Sequence, residues 1–304
     1  MVPRSNCSSG RSSTICRGIE LLLSETFPRG NTRGTYREDS MRLDLETGAV
    51  AIVTGASSGI GRATALALAR RGVQVVASAR NVGALETLVA EAGASGGRVQ
   101  AVPADVTDRA AISGLVRETL ARFSRIDICV CNAGAYIRGP IAGLTPGHFA
   151  ESMAVNFMGA ILLTYEVLPH MLQRRAGHIV AVTSVDGRKG LPRDAPYVAA
   201  KSALTGFMDV LRQELHGTGV YASTILPGRV DTPMIASLKV PLISAKIPAD
   251  RVAKAIIDAV EHRKSEVVVP FWGPKSLLLA HLISPGMADW LIRLFGLEGK
   301  EESA

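Results

Sequence analysis

The chain has 304 residues, of which 47% are hydrophobic, 20% charged and only 5% aromatic, with 30 glycines and a formal net charge of +7. This length allows one large domain or two small ones, and many glycines beside few aromatics favour a sheet-and-helix enzyme with tight turns over an all-β sandwich. No lysine or arginine run is interleaved with aromatic residues, so the sequence argues against a nucleic-acid partner; a basic surface could instead attract a phosphorylated cofactor.

Residues 1–40 are rich in serine and arginine and lack the clean apolar core of a signal peptide. Three interpretations stay open: a disordered tail, a transit-like peptide, or a non-native extension upstream of a natural start at Met41. Because residues 41–54 lead directly into the first apolar run, we favour the tail and the extension over the transit peptide. The fold prediction therefore begins at residue 41.

From residue 49 onward, short apolar runs alternate with stretches of helical periodicity. The apolar runs predict strands at 49–55, 73–80, 98–106, 126–134, 177–184, 219–228 and 265–270. The periodic stretches predict helices at 59–72, 81–93, 107–123, 145–175, 195–217 and 248–262. Thr107 and Thr145 are the expected N-caps of the third and fourth helices, and Pro146 is the expected first residue of the fourth.

Valine and isoleucine occupy both faces of these strands, which is typical of a parallel sheet covered by helices on both sides. The pattern repeats from residue 49 to 270 without a break in composition. We predict an α/β fold, a single doubly wound, Rossmann-like domain over residues 41–273. An amphipathic C-terminal extension is expected at 274–304.

Cys129 and Cys131 lie two apart in the strand predicted at 126–134, so both side chains point the same way. This is poor geometry for a disulfide, and no second ligand cluster accompanies them, so we interpret them as reduced core residues and expect no metal. No run of 18 apolar residues indicates a membrane span. Because reduced thiols fit a reducing compartment, we expect a cytoplasmic protein.

The stretch TGASSGIG, residues 54–61, directly follows the first predicted strand and opens the first predicted helix. Small residues let a backbone approach a pyrophosphate, and a helix N-terminus offers free N–H groups and the positive end of the helix dipole. The strand before and the helix after it favour a dinucleotide site over a turn with packing glycines. The expected cofactor contacts in this stretch are Gly55, Ser57, Ser58, Gly59, Ile60, Gly61 and Arg62.

The second strand ends in Ala79 and Arg80, where NAD-binding sheets usually carry an acid for the ribose 2′-hydroxyl. A carboxylate there would repel a 2′-phosphate, whereas the guanidinium groups of Arg80 and Arg62 would bind it. The charges therefore favour NADP(H) over NAD(H). The alternative is that both arginines are ordinary solvated surface residues.

Together these motifs resemble the short-chain dehydrogenase/reductase family, single-domain branch, over about residues 48–270. The resemblance is carried, in order and spacing, by TGASSGIG at 54–61, NAG at 132–134, Asn156, Ser184, YVAAK at 197–201 and PGRVDT at 227–232. It implies a nicotinamide cofactor, a small carbonyl or alcohol substrate, and a homodimer or homotetramer.

The resemblance also implies a role for each matching residue. Tyr197 would be the general acid/base, and Lys201 would hold the nicotinamide ribose and lower the pKa of Tyr197. Ser184 would hydrogen-bond the substrate carbonyl, and Asn156 would hold a water in a proton relay. The remaining implied cofactor contacts are Asp105, Val106, Asn132, Ala133, Gly134, Pro227, Gly228, Val230 and Thr232.

Elementary chemistry agrees with these catalytic roles. A free phenol, with a pKa of about 10, is a poor base at neutral pH, and a nearby ammonium favours its ionised form. Tyr197 and Lys201, four apart on a predicted helix, share one face. Ser184 ends a predicted strand, and so belongs to the carboxyl edge of the sheet, where open α/β folds bind ligands.

The sequence departs from the family pattern in two places. Cys131 stands where the family often has a second asparagine before NAG, which concerns turn packing and not the catalytic set. The residues that follow Ser184 are also unusually charged: Asp186, Arg188 and Lys189. They are either solvated rim residues, which we favour, or contacts to a polar group of the substrate.

Residues 229–247 have no strong periodicity and two prolines among apolar residues, as expected of a mobile lid over the substrate. An apolar pocket that favours a lipophilic or bulky carbonyl compound over a sugar is expected from Met234, Ile235, Leu238 and Leu242 with Tyr136 and Ile137.

The C-terminal stretch 273–300 is apolar and amphipathic and is broken at Pro285. We favour packing on the substrate cleft or on a partner subunit. Contact with a membrane surface is the less favoured alternative, for which Trp290, Phe295, Lys275 and Arg293 are suitable residue types.

The sequence thus predicts an NADP(H)-dependent oxidoreductase that acts on a carbonyl compound or secondary alcohol. Two alternatives stay open. One is a dehydratase or epimerase on the same fold, and the other is a dinucleotide-binding regulator without turnover. The intact set of Ser184, Tyr197 and Lys201 argues against the regulator.

Overall fold

The computed structural model describes residues 48–301; the tail predicted at 1–40 and the start proposed at Met41 lie outside the described residues. A seven-stranded sheet with parallel pairing throughout forms the centre, in the order β3-β2-β1-β4-β5-β6-β7. Because the order reverses between β1 and β4, a crevice for ligands is expected at their carboxyl ends. The strands are β1 Val50–Thr54, β2 Gln74–Ser78, β3 Arg98–Ala101, β4 Ile128–Cys131, β5 Gly177–Val182, β6 Val220–Pro227 and β7 Glu266–Val269.

Helices connect the strands and then continue past β7. They are α1 Gly59–Ala69, α2 Val82–Ala94, α3 Arg109–Phe123, α4 Pro146–Met153, α5 Gly159–Arg174, α6 Ala195–Glu214, α7 Ala249–Glu261, α8 Trp272–Ile283 and α9 Pro285–Phe295. Two pairs of two-residue strands lie outside the main sheet: Val230–Asp231 with Ile247–Pro248, and Leu238–Lys239 with Lys300–Glu301.

The core has two layers, one on each face of the sheet, because successive residues of a strand point to opposite sides. In β1, Ala51 and Val53 pack with Leu68 of α1 in one cluster, while Ile52 packs with Leu163 of α5 in the other. All five are fully buried. The predicted α/β fold, a single doubly wound domain, is therefore confirmed.

One predicted helix cap is wrong. Asp108, not Thr107, caps α3, because its Oδ1 accepts hydrogen bonds from the N–H groups of Ala110 (2.8 Å) and Ala111 (3.3 Å). Thr107 instead donates from its N–H and its hydroxyl to Asp105 Oδ1, at 2.9 and 2.8 Å. A carboxylate is the stronger acceptor for helix N–H groups, and it is one residue closer to the helix.

The helix predicted at 145–175 begins at Pro146 as expected, but a π-helical segment, Ala154–Met158, divides it into α4 and α5. By length and mean hydropathy alone, Pro146–Arg174 could cross a membrane. Core helices of globular proteins have the same length and hydropathy, and Leu163, Val167 and Met171 of this run are fully buried against the sheet.

Cys129 and Cys131 are buried in β4 with their sulfur atoms 3.9 Å apart and no disulfide between them. Their interpretation as reduced core residues is confirmed. Within residues 48–301, no group of three or more His, Cys, Asp or Glu side chains could hold a metal ion.

Candidate active site

A cavity of about 940 Å³ lies along the carboxyl edge of the sheet, around the point where the strand order reverses. Residues that end or follow β1, β2, β4, β5 and β6 line it, as do residues from α8 and α9. Gly61 and Arg62, both predicted to contact cofactor, do not line it. The predicted site residues that do are Gly55, Ser57, Ser58, Gly59, Ile60, Arg80, Asp105, Val106, Asn132, Ala133, Gly134, Asn156, Ser184, Tyr197, Lys201, Pro227, Gly228, Val230 and Thr232.

The glycine turn is packed so tightly that side chains would not fit. Gly55 adopts φ +64°, and a Cβ there would lie 2.8 Å from the Cα of Ala133. A Cβ on Gly61 would lie 2.3 Å from the carbonyl oxygen of Gly55. Ser58, the N-cap of α1, makes no side-chain capping bond, so the first N–H groups of that helix keep their capacity to bind a ligand. This arrangement fits the pyrophosphate of a dinucleotide.

Asn132 fixes this turn from the neighbouring strand. Its Nδ2 donates to the carbonyl oxygens of Thr54 (3.0 Å) and Gly55 (3.3 Å), and its N–H donates to the Thr54 hydroxyl (3.1 Å). The Thr54 hydroxyl in turn donates to Val130 O at 3.2 Å. Asn132 is therefore a positioning residue for the glycine turn, and Thr54 is a partner that the sequence motifs did not single out.

The two arginines predicted to bind a 2′-phosphate differ in position. Arg80 lines the cavity, is 78% exposed, and lies 3.9 Å from Asp105. Arg62 turns away from the cavity to Glu91, with Nη1 and Oε2 2.5 Å apart. Asn81, which the sequence did not single out, lines the cavity beside Arg80 and caps α2 by accepting from Ala84 N–H.

Tyr197 lies in the first turn of α6, where the helix begins at the carboxyl edge of the sheet. Ser184, the residue that leaves β5, lines the same cavity, and the interaction with its hydroxyl lowers the pKa of Tyr197. The ring of Tyr136 packs edge-on against the Tyr197 ring, with centroids 5.0 Å apart. The structure thus brings Ser184 and Tyr197 together as the resemblance implies.

Lys201 is one turn further along α6 and is 4% exposed. Its Nζ donates to the carbonyl oxygen of Val182 at 2.9 Å and lies 5.7 Å from the centroid of the Tyr197 ring. This bond to β5 holds the ammonium beside the cavity, where a ribose hydroxyl could reach it.

Asn156 is 1% exposed and belongs to the π-helical segment. Its Nδ2 donates to Ala135 O (2.8 Å) and Ser152 O (3.1 Å), and its Oδ1 accepts from Ala135 N–H (3.2 Å). The extra residue in the helical turn turns the amide towards the loop after β4. These bonds make Asn156 a positioning residue for that loop; its expected water relay stays a prediction.

The expected lowering of the pKa of Tyr197 by Lys201 stays a prediction, and other groups dominate that pKa in the structure. Burial raises the pKa of Tyr197, and the negative charges of Asp186 and Asp194 raise it further, while the hydrogen bond from Ser184 lowers it. Burial lowers the pKa of Lys201 to about 8, and its Nζ donates to the carbonyl oxygen of Val182. Tyr197 is therefore held as a protonated phenol at neutral pH.

A polar cluster that sequence motifs did not reveal lies beside Tyr197. Arg138 Nε and Asp194 Oδ1 are 3.2 Å apart and both side chains are buried, and interaction with the Tyr136 hydroxyl lowers the pKa of Asp194 against the larger effect of burial. Asp186 lines the cavity, and burial together with the charge of Asp194 raises its pKa to about 7. The only sequence signal was the unusual charge after Ser184.

The three charged residues after Ser184 thus have separate positions. Asp186 faces the cavity, so its interpretation as a solvated rim residue is wrong. Arg188 points outward to Glu266 (2.8 Å) and Asp209 (3.1 Å). Lys189 is buried and binds Asp289 of α9, with Nζ and Oδ1 2.6 Å apart.

Two further segments close the substrate side of the cavity. From the expected lid, Met234, Ile235 and Leu238 line it, together with Tyr136, whereas Leu242 is 94% exposed and Ile243 takes its place. Ile137 does not line the cavity. From the C-terminal stretch the lining residues are Gly273, Pro274, Ser276, Leu277, Leu291, Phe295 and Leu297.

The C-terminal stretch therefore packs on the cleft, as favoured from the sequence. Polar contacts fasten it there. Arg138 Nη2 donates to Glu298 O at 3.1 Å, Arg229 donates to Leu297 O, and the Lys189–Asp289 ion pair holds α9 to the loop after Ser184. The cavity thus has one end suited to a dinucleotide and another enclosed by apolar side chains.

Comparison with known proteins agrees with this site. The family model described as short chain dehydrogenase matches residues 49–241. A ketoacyl reductase, HetN, from Nostoc sp. is 34% identical over 259 residues, which cover 83% of this chain and 90% of that protein. A 3-oxoacyl-[acyl-carrier-protein] reductase from Synechocystis sp. is 39% identical over 206 residues, which cover 67% of this chain and 83% of that protein.

Solved structures show the same fold. A crystal structure of a variant actinorhodin polyketide ketoreductase with NADPH has a TM-score of 0.70 and 29% identity, covering 74% of this chain and 96% of that one. A levodione reductase has a TM-score of 0.69 and 27% identity, with coverages of 73% and 95%. With the glycine turn, Ser184, Tyr197 and Lys201 gathered in one cavity, these matches place the chain in the short-chain dehydrogenase family.

Proposed function

We propose that the protein is an NADP(H)-dependent oxidoreductase that transfers a hydride between the nicotinamide and a lipophilic carbonyl compound or secondary alcohol. The observation that carries this proposal is that Tyr197 and Ser184 line one cavity, between the glycine turn and a set of apolar side chains. The names of the ketoacyl reductase relatives support carbonyl reduction, and the ketoreductase solved with NADPH supports the choice of cofactor.

The residues present would perform the proton chemistry as follows. When bound, the nicotinamide supplies or accepts the hydride. The Tyr197 hydroxyl donates a hydrogen bond, and then its proton, to the substrate oxygen as negative charge develops there. Ser184 is placed to polarise the same oxygen, and Lys201 to bind the cofactor ribose. Because burial raises the pKa of Tyr197, the phenol is kept as a proton donor, which suits reduction of a carbonyl group.

The test is an assay of the purified full chain for oxidation of NADPH with a panel of aliphatic, aromatic and β-keto carbonyl compounds. Turnover of a lipophilic member is expected. If the protein binds NADPH in a fluorescence titration but turns over no carbonyl compound or alcohol, the oxidoreductase proposal is wrong. That result would favour the regulator, whereas release of water or inversion of a stereocentre would favour the dehydratase or epimerase.

Preference for NADP(H) is expected to depend on Arg80. Arg80→Asp should lower the ratio of kcat/KM with NADPH to that with NADH by about 10- to 100-fold, because it replaces a charged hydrogen bond to the 2′-phosphate with a repulsion. Steady-state kinetics with both cofactors measures this ratio. Arg98→Asp is the matched control, because Arg98 begins β3 and so lies at the amino ends of the strands, away from the cavity at their carboxyl ends. An unchanged ratio in Arg80→Asp would contradict the NADP(H) assignment.

Asp186 is expected to shape the pH dependence. Its pKa is raised to about 7, so above that pH its charge holds the pKa of Tyr197 up. Asp186→Asn removes this charge and should shift the apparent pKa of alcohol oxidation down by roughly one unit. Below about pH 6 wild type and variant should converge, because Asp186 is then protonated.

The measurement for Asp186 is the pH profile of kcat/KM for both proteins. Asp258→Asn, on the surface of α7, should leave the profile unchanged. An upward shift or no shift in Asp186→Asn would show that Asp186 does not act on Tyr197 through its charge.

We also propose a cytoplasmic homodimer or homotetramer that binds neither nucleic acid nor metal. The location rests on the reduced thiols, and the assembly rests on the family. Light scattering of the purified chain measures the assembly directly.

A further inference from the structure

Helices α8 and α9 form a hairpin with two different faces. The inner face carries Leu277 and Leu291, which line the cavity, and the buried residues Ala280, Ala288 and Ile292. These positions repeat every three or four residues, so they form one stripe along each helix. The inner face is therefore buried and forms part of the cavity wall.

The outer face of the same hairpin is apolar and exposed. In α8, Trp272, Leu279 and Ile283 follow one another at helical spacing and are 82, 59 and 70% exposed. In α9, Trp290 and Leu294 are four residues apart, one helical turn, and are 55 and 56% exposed. The sequence contains two tryptophans, and both lie here. We call these five residues, with Leu282, the outer stripe.

The outer stripe adjoins the substrate side of the cavity. A Cβ on Gly273 would lie 4.0 Å from the carbonyl oxygen of Ile243, so the start of α8 borders the loop that contains Leu242 and Ile243. Both of these are exposed, and Ile243 also lines the cavity. Exposed apolar side chains thus extend from the hairpin to the cavity wall.

The charges beside the outer stripe are positive. Lys275 lies on α8 with its Nζ 4.4 Å from the centroid of the Phe271 ring, and Arg293 is exposed on α9. The carboxylate that the sequence places on this hairpin, Asp289, is bound by Lys189. An apolar helical face with tryptophans and flanking cations is the pattern of helices that lie in a membrane interface.

We propose that the outer stripe docks on an anionic lipid surface. A second copy of the chain fits this face less well, because a two-fold contact pairs the patch with itself, and the carboxylate on this hairpin, Asp289, is already bound by Lys189 and does not complement Lys275 and Arg293. Anionic headgroups instead complement these charges, and the acyl region takes up the apolar side chains. Docking would turn the loop with Leu242 and Ile243 towards the lipid. This last consequence rests on the proposed function, since it gives a lipophilic substrate a direct path into the cavity.

The test uses the full chain and vesicles of phosphatidylcholine with or without phosphatidylglycerol. We expect co-sedimentation with the anionic vesicles, and a blue shift of the tryptophan emission, because both tryptophans lie in the outer stripe. Trp272→Ser combined with Leu282→Ser should weaken partitioning at least about tenfold, since two large exposed apolar groups are lost. Lys275→Glu with Arg293→Glu should abolish the preference for phosphatidylglycerol. Tyr165→Ser, which removes a 67% exposed ring from α5, should change neither the partitioning nor the preference for phosphatidylglycerol.

Three results would overturn the proposal. They are no binding of wild type to anionic vesicles, binding with unchanged tryptophan emission, and a self-association, seen by light scattering, that the Trp272→Ser and Leu282→Ser changes abolish in the absence of lipid. Turnover of a water-soluble carbonyl compound without vesicles is measured in parallel on the same preparations. It reports on the proposed oxidoreductase activity alone, so failure of docking and failure of the activity are distinguishable.

Discussion

Tyr197→Phe is expected to lower kcat for carbonyl reduction by about 10²- to 10⁴-fold while NADPH still binds. The change removes one oxygen atom from a buried ring. The aromatic contact with Tyr136 would be kept, and so would the bond from Lys201 to Val182 O, because neither uses the phenolic hydroxyl. What is lost is the hydroxyl that would donate the proton in the cavity that Ser184 also lines.

The measurement combines single-turnover reduction with a fluorescence titration of NADPH. Tyr136→Phe is the matched control, since it removes the same atom from the adjacent ring, which packs edge-on against Tyr197. It should lower kcat by far less than Tyr197→Phe. If both variants lose activity equally, or if Tyr197→Phe loses NADPH binding, the hydroxyl of Tyr197 is structural and not the acid/base of the reaction.

The positions of the strands and helices could be predicted because their signals are local. Valine and isoleucine on both faces of β1, β4 and β5 indicate burial on two sides, which a parallel sheet provides. Once the strands are parallel, residues that end different strands, such as Gly55, Asn132 and Ser184, are brought to one edge. For the same reason the site could be assembled from motifs far apart in the chain.

What could not be predicted depends on side-chain direction and on distant contacts. Asp186 and Arg188 are two residues apart, yet the first faces the cavity and the second faces outward, because Asp186 lies within a short helical turn, Val185–Gly187, that ends before Arg188. The pairing of Lys189 with Asp289 joins residues 100 positions apart. No local pattern encodes such a contact.

The pKa of Tyr197 shows a second limit. The four-residue spacing to Lys201 correctly places both on one face of α6, but spacing says nothing of burial. In the structure burial has the largest influence on both groups: it raises the pKa of Tyr197 and lowers the pKa of Lys201. A sequence motif thus predicts which groups meet, whereas their protonation depends on the surroundings.

Gly61→Ala should destabilise the protein by about 1–3 kcal/mol and weaken NADPH binding at least about tenfold, although alanine is the better helix former. The added Cβ would lie 2.3 Å from Gly55 O and 2.5 Å from Asn132 Nδ2. Both atoms belong to the hydrogen bonds that fix the glycine turn, so relief of the clash must move the turn away from β4. The N–H groups at the start of α1 would then lose their alignment towards the pyrophosphate.

Urea unfolding with and without NADPH measures both effects of this change. Gly93→Ala in α2 is the matched control, because a Cβ there meets no atom within 4 Å; it should leave stability equal or slightly raised. The stabilisation by NADPH should be retained in Gly93→Ala and be small in Gly61→Ala. Wild-type stability and affinity in Gly61→Ala would show that the turn can shift without cost, and that its close packing is not what shapes the cofactor site.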